Sequence, residues 1–421
     1  MLASVEGGLG SNFWKLWGSS VAANLADGVT LVAIPLIAVR LTSSPAEIAG
    51  VAVASQLPMI LLGLVAGGLA DRLDRRRTML VVQVLRVVVL GSLAVLASAG
   101  ALSMPILYAA AFIIGGGEAF FDTNAQSILP AMVGRERLVT ANGRLFAAEM
   151  LMNSFVGPPL GGLLVAIGVP LALGGAAVGF AIAAIGLLLI SGPFRAERDG
   201  RGLHLAAEIG EGIGYLARHR LLLALSGMVA LGRLGSAGFF ALLALYAVAP
   251  GPMGLSEPGY GLLLVAFGGG SIAGSFVTER AVRLFGRPGV LYGSTVVFAL
   301  GILIPALTPE PRLIGAGFFF AGVAVMTWNV TNVSLRQAIL PTRLMGRVHA
   351  THRFIANLAG LLGAVLAGAI GEAFGLPVAF AVGSGIILLG LLARFVVTEE
   401  RIAAAESDAE AFGVRISTTR P

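Results

Sequence analysis

The strongest constraint on this chain is a succession of apolar runs, each long enough to cross a lipid bilayer. A membrane-spanning helix needs about 20 mostly apolar residues. Twelve such runs lie at 13–40, 46–70, 79–99, 103–128, 144–167, 170–192, 220–249, 258–278, 289–308, 311–335, 348–372 and 376–397. Only 12% of the 421 residues are charged, against about 25% in soluble proteins. The sequence therefore predicts an all-α integral membrane protein with twelve transmembrane helices.

The two groups of six runs resemble each other. Gln-Ser-Ile-Leu-Pro at 126–130 ends the fourth run, and Gln-Ala-Ile-Leu-Pro at 337–341 ends the tenth. Such a repeat predicts two six-helix bundles related by pseudo-two-fold symmetry. The expected domains are an N-terminal bundle at 1–192, a cytoplasmic linker at 193–219, a C-terminal bundle at 220–397 and a cytoplasmic tail at 398–421.

The basic residues predict the orientation of the chain in its membrane. With both termini in the cytoplasm, the inner connectors and ends hold all but four of the 28 Lys and Arg residues. Arg40 and Arg312 fall in outer connectors, and Arg86 and Arg233 fall inside spans. Because positive charge is retained on the cytoplasmic side, the formal net charge of +6 indicates orientation and no nucleic-acid partner. We expect a multi-pass protein of a prokaryotic plasma (inner) membrane.

The sequence lacks the usual residues of an enzyme site. It has no cysteine, and its histidines (His204, His219, His349 and His352) fall in the expected connectors, so we expect no metal site. No phosphate-binding loop G-x-x-x-x-G-K-[ST] is present, which argues against ATP as the energy source. We expect no cofactor and no catalysis. A membrane-embedded enzyme and a channel are the alternatives to a transporter, and the repeat favours the transporter.

One charged motif stands between the second and third runs. It reads Gly67-Gly68-Leu69-Ala70-Asp71-Arg72-Leu73-Asp74-Arg75-Arg76-Arg77. It resembles the signature of the major facilitator superfamily, G-x-L-a-D-r/k-x-G-r-r/k, and it stands in the loop where that superfamily carries it. Asp74 departs from the pattern, which prefers Gly at that place. The resemblance implies the major facilitator fold and alternating access to a central cavity.

The same resemblance implies a latch between the two halves on the cytoplasmic side. Asp71 would face the start of the eleventh run, and Arg75 would reach Asp122. The expected latch residues are Gly67, Asp71, Arg72, Arg75, Arg76 and Asp122. The alternative is that the charged loop has no gating role and only keeps this connector on the cytoplasmic side, since so many charges cannot enter lipid.

The whole chain also resembles the drug and siderophore exporters of this superfamily, which include enterobactin exporters and macrolide efflux proteins. The likeness is carried by residues 118–122, 128–130, 141–143, 335–337 and 346–348. It implies a secondary active exporter of a small amphipathic molecule such as a drug, a macrolide or a siderophore-like metabolite. A nutrient importer or a facilitator of the same fold is the alternative.

Three ionisable residues lie near the midplane of the expected spans, where each costs about 2.5–3.5 kcal/mol. They are Asp27, Glu118 and Arg233, on runs that line the central cavity as the resemblance implies. Two acids at similar depth do not ionise independently, so Asp27 and Glu118 are the candidates for carrying a coupling proton. A permanent salt bridge with Arg233 is the alternative.

Three further charges, Arg86, Asp122 and Glu149, lie nearer the cytoplasmic side of their expected spans. Buried charges are tolerated where they pair with one another. We expect these three to form a structural ion network that joins the latch.

Polar and aromatic residues on the cavity-lining runs are candidates for contact with cargo. The expected cavity residues are Asn24, Arg233, Phe120, Phe121, Phe239, Trp328, Asn329 and Asn332. Such a wall suits bulky amphipathic cargo, although aromatic residues also face lipid or pack in the core. We expect a monomer whose partners are a small-molecule substrate, protons and membrane lipid.

The fifth run contains Gly157-Pro158-Pro159-Leu160-Gly161-Gly162. It resembles the end of the antiporter motif, G-P-x-x-G-G, through Gly157, Pro158, Gly161 and Gly162. Small residues permit close helix contact, and prolines bend a helix. Bending during transport and simple tight packing are both consistent with the motif.

Overall fold

A computed structural model describes residues 9–70, 74–192, 219–340 and 342–407, together with residues 210, 214 and 216. Of residues 62–70, 119, 122–127, 131, 135, 342–345 and 347, only the helical or turn backbone is described. The described chain is mostly helical, and an isolated bridge pairs Val248 with Leu255.

The chain divides into two compact units. Unit 1 comprises Met1–Leu41, Ala54–Leu203 and Ser256–Leu262. Unit 2 comprises Thr42–Val53, His204–Leu255 and Leu263–Pro421. Each unit therefore includes one short segment from the other half of the sequence. The domain boundaries expected at 192, 219 and 397 stay predictions.

Seven helices come from the first half of the sequence. They are α1 (Ser11–Leu41), α2 (Pro45–Ala70), α3 (Arg75–Ser98), α4 (Met104–Met132), α5 (Leu138–Glu149), α6 (Gly157–Ile167) and α7 (Val169–Leu188). Helix α1 packs on α6 and α7, and α3 packs on α4 and α7. This packing brings α1, α3 and α4 together in unit 1.

A π-helix at Met150–Val156 joins α5 to α6. It ends immediately before Gly157, Pro158 and Pro159. The two prolines have no N–H to donate to the carbonyls one turn earlier, so the regular α-helical bonding pattern is interrupted here. The expected fifth run is therefore one helical path with a changed pitch at its middle.

Five helices come from the second half. They are α8 (Arg220–Ala247), α9 (Glu257–Leu307), α10 (Pro311–Ile339), α11 (Thr342–Phe374) and α12 (Leu376–Leu388), followed by a 3₁₀-helix at Leu389–Phe395. Helix α9 is two helices that meet at Gly286, whose φ of 69° is accessible mainly to glycine. The expected runs at 258–278 and 289–308 lie on either side of it.

Within the described part of the chain, nine helices are long and apolar enough to cross a membrane. One of the nine is Glu257–Leu307, which contains the break at Gly286. Two shorter apolar helices are described at Pro45–Leu61 and Met104–Glu118. The protein is an all-α integral membrane protein, and the total of twelve spans stays a prediction.

Candidate functional site: a buried arginine between two acids

Three charged residues meet in unit 1 at the middle of their helices. Asp27 lies near the middle of α1, Arg86 near the middle of α3 and Glu118 near the middle of α4. The guanidinium of Arg86 donates a hydrogen bond from Nη2 to Oε2 of Glu118. Its Nη1 lies 3.5 Å from Oδ1 of Asp27. One arginine thus pairs with two carboxylates far from either helix end.

The three side chains differ in exposure. The side chain of Arg86 is 1% exposed, whereas Asp27 is 28% and Glu118 is 39% exposed. The base is therefore enclosed by protein while both acids are open on one side. Water or a proton can therefore reach the two carboxylates more easily than it can reach the guanidinium of Arg86.

Aromatic rings complete the surroundings of Arg86. Its guanidinium carbon lies 4.9 Å from the ring centre of Phe180 and 5.6 Å from that of Phe121. Rings at these distances attract a cation by about 0.5–2 kcal/mol. Among the described residues, no hydrogen-bond acceptor is found for Nε and Nη1 of Arg86. The guanidinium thus has donors beyond the one used by Glu118.

The structure corrects the grouping of the charges expected from the sequence. Arg86 was assigned to a shallow network with Asp122 and Glu149, but it pairs with the two deep acids. Arg86 lies near the middle of α3, which spans Arg75–Ser98. Glu149 is exposed at the end of α5, and the side chain of Asp122 is outside the described residues.

Arg233 belongs to unit 2. It is exposed near the middle of α8, and no ion pair or hydrogen bond of its side chain is found in the described portion of the chain. The cation described beside Asp27 is Arg86, and the alternative salt bridge between Asp27 and Arg233 stays a prediction. Arg233 therefore remains a mid-helix cation without a described counter-ion.

The expected cavity residues divide into open and buried groups. Asn329 is exposed, and Phe120, Phe121 and Trp328 are half-buried. Asn24 is also half-buried, and its Nδ2 donates to the Ser20 carbonyl at 2.8 Å. These residues keep some access to solvent or lipid.

Phe239 and Asn332 are buried. The ring centre of Phe239 lies 4.8 Å from that of Phe380 and 5.7 Å from that of Phe318. Phe239 therefore belongs to the aromatic core of unit 2 and does not line an open wall, which corrects the sequence prediction. The Oδ1 of Asn332 is buried and has no hydrogen-bond partner among the described residues.

The antiporter-like motif packs directly on α1. A Cβ added to Gly157 would lie 2.6 Å from the Cα of Gly28, and one added to Gly161 would lie 2.7 Å from the Val29 carbonyl oxygen. Such distances leave no room for any side chain. Gly28 follows Asp27 in sequence, so the closest approach of α6 to α1 lies beside the charged cluster. Pro158, like Gly162, is buried in the same helix.

Part of the expected latch is described. Arg76 donates from Nε to the Leu187 carbonyl at 2.8 Å and from Nη2 to the Leu188 carbonyl at 2.7 Å. It therefore caps the C-terminal end of α7, where cations are favoured, a role that the sequence analysis missed. The departure from the motif at residue 74 has a local reason, because Asp74 is the N-cap of α3 and accepts from the Arg77 N–H at 3.0 Å.

The rest of the latch is outside the description. Asp71 and Arg72 lie outside the described residues, and Gly67 and Asp122 are described only as helical backbone. Arg75 begins α3. The latch role stays a prediction for all six residues.

One histidine was misplaced by the sequence analysis. His352 was assigned to a connector, but it is buried in α11. Its Nδ1 lies 3.2 Å from the Ser226 hydroxyl of α8. His352 lies inside the expected run at 348–372, and α11 packs against α8.

An all-helical chain of this hydrophobicity, with charges clustered at mid-helix, is a multi-pass membrane transporter. The model of the transmembrane secretion effector family matches residues 10–414. The chain therefore belongs to this family of the major facilitator superfamily, and the resemblance inferred from the loop motif is confirmed. Members of this family and the relatives are transporters rather than enzymes.

Two curated relatives match most of the chain. The multidrug efflux pump Tap of Mycolicibacterium fortuitum is 27% identical over 402 residues, which cover 90% of this chain and 93% of the pump. The enterobactin exporter EntS of Salmonella typhi is 28% identical over 395 residues, which cover 89% of each chain. These similarities confirm the resemblance to drug and siderophore exporters.

Solved structures show the same fold. The nucleoside transporter NupG has a TM-score of 0.73 at 13% identity, over 92% of this chain and all of that one. A bacterial homologue of the lysosomal transporter Spinster, in an inward-facing and unoccupied conformation, has a TM-score of 0.69 at 16% identity, over 94% of this chain and 96% of its own. At these identities the similarity concerns the fold alone.

Proposed function

We propose that this transporter is a proton-coupled exporter that works by alternating access. The observation that carries the proposal is the cluster of Asp27, Arg86 and Glu118. A structural salt bridge needs one acid for each base, whereas here two carboxylates contact one buried guanidinium. The second carboxylate gives the cluster the capacity to bind a proton.

Charge balance favours one proton in the enclosed cluster. With both acids ionised, the three groups carry one net negative charge, and a net charge in a region of low dielectric is unfavourable. Protonation of one carboxylate makes the cluster neutral. Exposure to water lowers the cost of the negative charge, so the proton leaves when the site is hydrated. Alternating hydration thereby couples proton movement to the conformational cycle.

The contacts distinguish the two acids. Glu118 accepts a charge-assisted hydrogen bond, the stronger type of contact, whereas Asp27 is an ion-pair partner at 3.5 Å. The charge of Asp27 is thus compensated less by Arg86 than that of Glu118. We propose Asp27 as the proton carrier and Glu118 as the more permanent counter-ion.

The unused donors of Arg86 suggest how a proton moves a helix. Because Nη1 is without an acceptor among the described groups, deprotonation of Asp27 would strengthen its attraction to this nitrogen and draw α1 toward α3. Gly28 follows Asp27 and contacts the backbone at Gly157. A shift of α1 would therefore be transmitted to α6.

The cargo is proposed to be a small amphipathic molecule. Unit 2 offers the exposed guanidinium of Arg233 near the middle of α8 and the exposed amide of Asn329. A cation without a described counter-ion suits an anionic or strongly polar group of a substrate. The names of the relatives, a multidrug efflux pump and an enterobactin exporter, support export of drug-like or siderophore-like cargo over import.

The coupling is tested by transport into inside-out vesicles. A screen of compound accumulation in cells with and without the protein first supplies a substrate. We expect Asp27→Asn to abolish accumulation driven by a pH gradient, because the amide neither binds nor releases a proton, while exchange at equal pH persists. Glu118→Gln is the matched control. If Asp27→Asn still concentrates the substrate and Glu118→Gln does not, the role passes to Glu118; if both still concentrate it, the cluster does not couple transport to protons.

The proposed setting is the plasma (inner) membrane of a prokaryote, with both termini in the cytoplasm and the protein as a monomer. The bacterial origin of the relatives supports this setting. Because the chain has no cysteine, single cysteines at Glu310 and Glu400 report sidedness without background. In intact cells we expect an impermeant maleimide to label Glu310→Cys and to leave Glu400→Cys unlabelled. The reverse pattern would contradict the orientation.

A further inference from the structure

A cavity of about 460 Å³ lies in unit 1 between the first turns of α1 and the fifth helical path. Its lining consists of Trp14, Trp17, Val21, Arg144, Ala147, Ala148, Leu151 and Met152. The volume falls within the range of about 300–1,000 Å³ found for small-molecule sites. Arg144 is the one charged residue among otherwise apolar and aromatic walls.

The polar wall of this cavity has a defined geometry. The guanidinium carbon of Arg144 lies 5.0 Å from the ring centre of Trp14. The indole N–H of Trp17 donates to the Arg144 carbonyl at 3.3 Å. The rings of Trp14 and Trp17 meet edge to face, with their centres 5.7 Å apart. The guanidinium lies over the Trp14 ring, and the N–H groups of an arginine can bind an oxyanion through two hydrogen bonds.

Arg144 has no acidic partner among the residues that the structure describes. Its side chain is exposed. An arginine beside apolar walls gains most from a ligand that carries both a negative group and a hydrocarbon body. The site therefore calls for an anionic amphipath.

The surroundings of the cavity indicate where such a ligand comes from. Trp14 and Trp17 lie in the first two turns of α1, and tryptophan is enriched where a membrane helix meets the headgroups. Val139, Phe146 and Leu151 on the adjoining helical path are exposed, and exposed apolar side chains of a spanning helix face hydrocarbon. The cavity thus lies at headgroup depth beside a surface that contacts acyl chains.

We propose that this cavity binds an anionic phospholipid of the cytoplasmic leaflet. Its phosphate accepts hydrogen bonds from the guanidinium of Arg144, and an acyl chain lies along Val21, Leu151 and Met152. Basic pockets between helices on the cytoplasmic side suit such headgroups. A zwitterionic phospholipid carries its own cation, which competes with Arg144 for the phosphate. The leaflet rests on the proposed orientation, whereas the preference for an anionic lipid does not.

Tryptophan fluorescence tests the proposal without any transport assay. The chain has three tryptophans, so Trp328→Phe leaves Trp14 and Trp17 as reporters at the cavity. The purified protein is reconstituted in vesicles of phosphatidylglycerol and phosphatidylcholine at one fixed ratio. Bromine on an acyl chain quenches tryptophan fluorescence on contact. One sample carries brominated phosphatidylglycerol and the other carries brominated phosphatidylcholine. The surface charge is then identical in both samples.

We expect the quenching site to bind brominated phosphatidylglycerol with about fivefold higher affinity than brominated phosphatidylcholine. This factor corresponds to ~1 kcal/mol, the contribution of one arginine near an anionic membrane surface. Arg144→Gln should abolish the preference, and Arg144→Lys, which keeps the charge without the planar fork, should reduce it. Arg394→Gln is the matched control, because Arg394 lies 4.8 Å over the ring of Phe395 and is not in the lining. That variant should keep the preference.

Two results would overturn the proposal. Equal quenching by both lipids means that the cavity holds no selected anionic lipid. A preference that survives Arg144→Gln means that the charge responsible lies elsewhere. Neither result depends on substrate or on a pH gradient. The experiment therefore tests the lipid site independently of proton-coupled export.

Discussion

The guanidinium of Arg86 lies 3.5 Å from the carboxylate of Asp27, although the two residues are carried by different helices, α3 and α1. Both lie near the middle of their helices, where a charge is most costly in a membrane protein. Glu118 contacts the same guanidinium from α4. The packing of unit 1 therefore brings two acids from different helices to one buried base.

Removal of Arg86 should destabilise unit 1 strongly. Arg86→Met leaves two partly exposed acids without their shared cation, and the like charges then repel each other. We expect a lower melting temperature in detergent and less protein in the membrane. Adding Asp27→Asn and Glu118→Gln to the same variant should restore much of the stability. Normal stability of Arg86→Met alone would show that the cluster is not a structural element.

Substitution of Arg233 should change cargo with little effect on folding. Its side chain is exposed and has no ion pair within the described chain, and substitutions at such positions usually change stability by less than about 0.5 kcal/mol. We expect Arg233→Ala to melt like the wild type and to transport a different range of compounds, with anionic cargo affected most. The measurement combines thermal unfolding with accumulation of anionic and cationic compounds. A folding defect would remove the substrate role.

A single added methyl group at Gly157 should disturb the contact between α6 and α1. The new Cβ would approach the Gly28 Cα to 2.6 Å, and overpacking of this kind costs about 1–3 kcal/mol. Gly91→Ala is the control, since a Cβ on that α3 glycine meets nothing within 4 Å. We expect reduced stability and transport for Gly157→Ala and unchanged behaviour for Gly91→Ala. Equal tolerance of both changes would contradict a rigid contact beside Asp27.

Two neighbouring arginines of the loop motif should have separable effects. Arg76→Ala removes two charge-assisted hydrogen bonds from the end of α7, each worth about 1.5–3 kcal/mol at most, so its melting temperature should fall. Arg75→Ala should instead lose transport at normal stability if Arg75 acts in the proposed latch. Wild-type transport by Arg75→Ala at matched expression would leave the motif with a structural role only.

The sequence predicted the helical path well, and it predicted less about helix ends. Helix α1 at Ser11–Leu41 and α7 at Val169–Leu188 lie close to the expected runs, because hydropathy is a local property. Helix α3 begins at Arg75 and α11 at Thr342, both before their apolar runs. Each of these helices begins with a turn that contains charged residues and extends into the headgroup region. A hydrophobicity scale does not assign such charged residues to a spanning helix. Arg86 and His352 were misplaced for another reason, because their contacts join helices that are far apart in the chain.

By itself, the sequence determined that the chain lies in a membrane as a set of helices and that it belongs to the major facilitator superfamily. Both conclusions follow from local features, the length of the apolar runs and the motif at 67–77. Only the tertiary structure decided that Arg86 faces Asp27, and that Phe239 is buried. Those outcomes depend on how each helix is rotated about its axis, which is set by close contacts such as Gly28 against Gly157. Such contacts join residues far apart in the chain, and no local pattern of hydrophobicity records them.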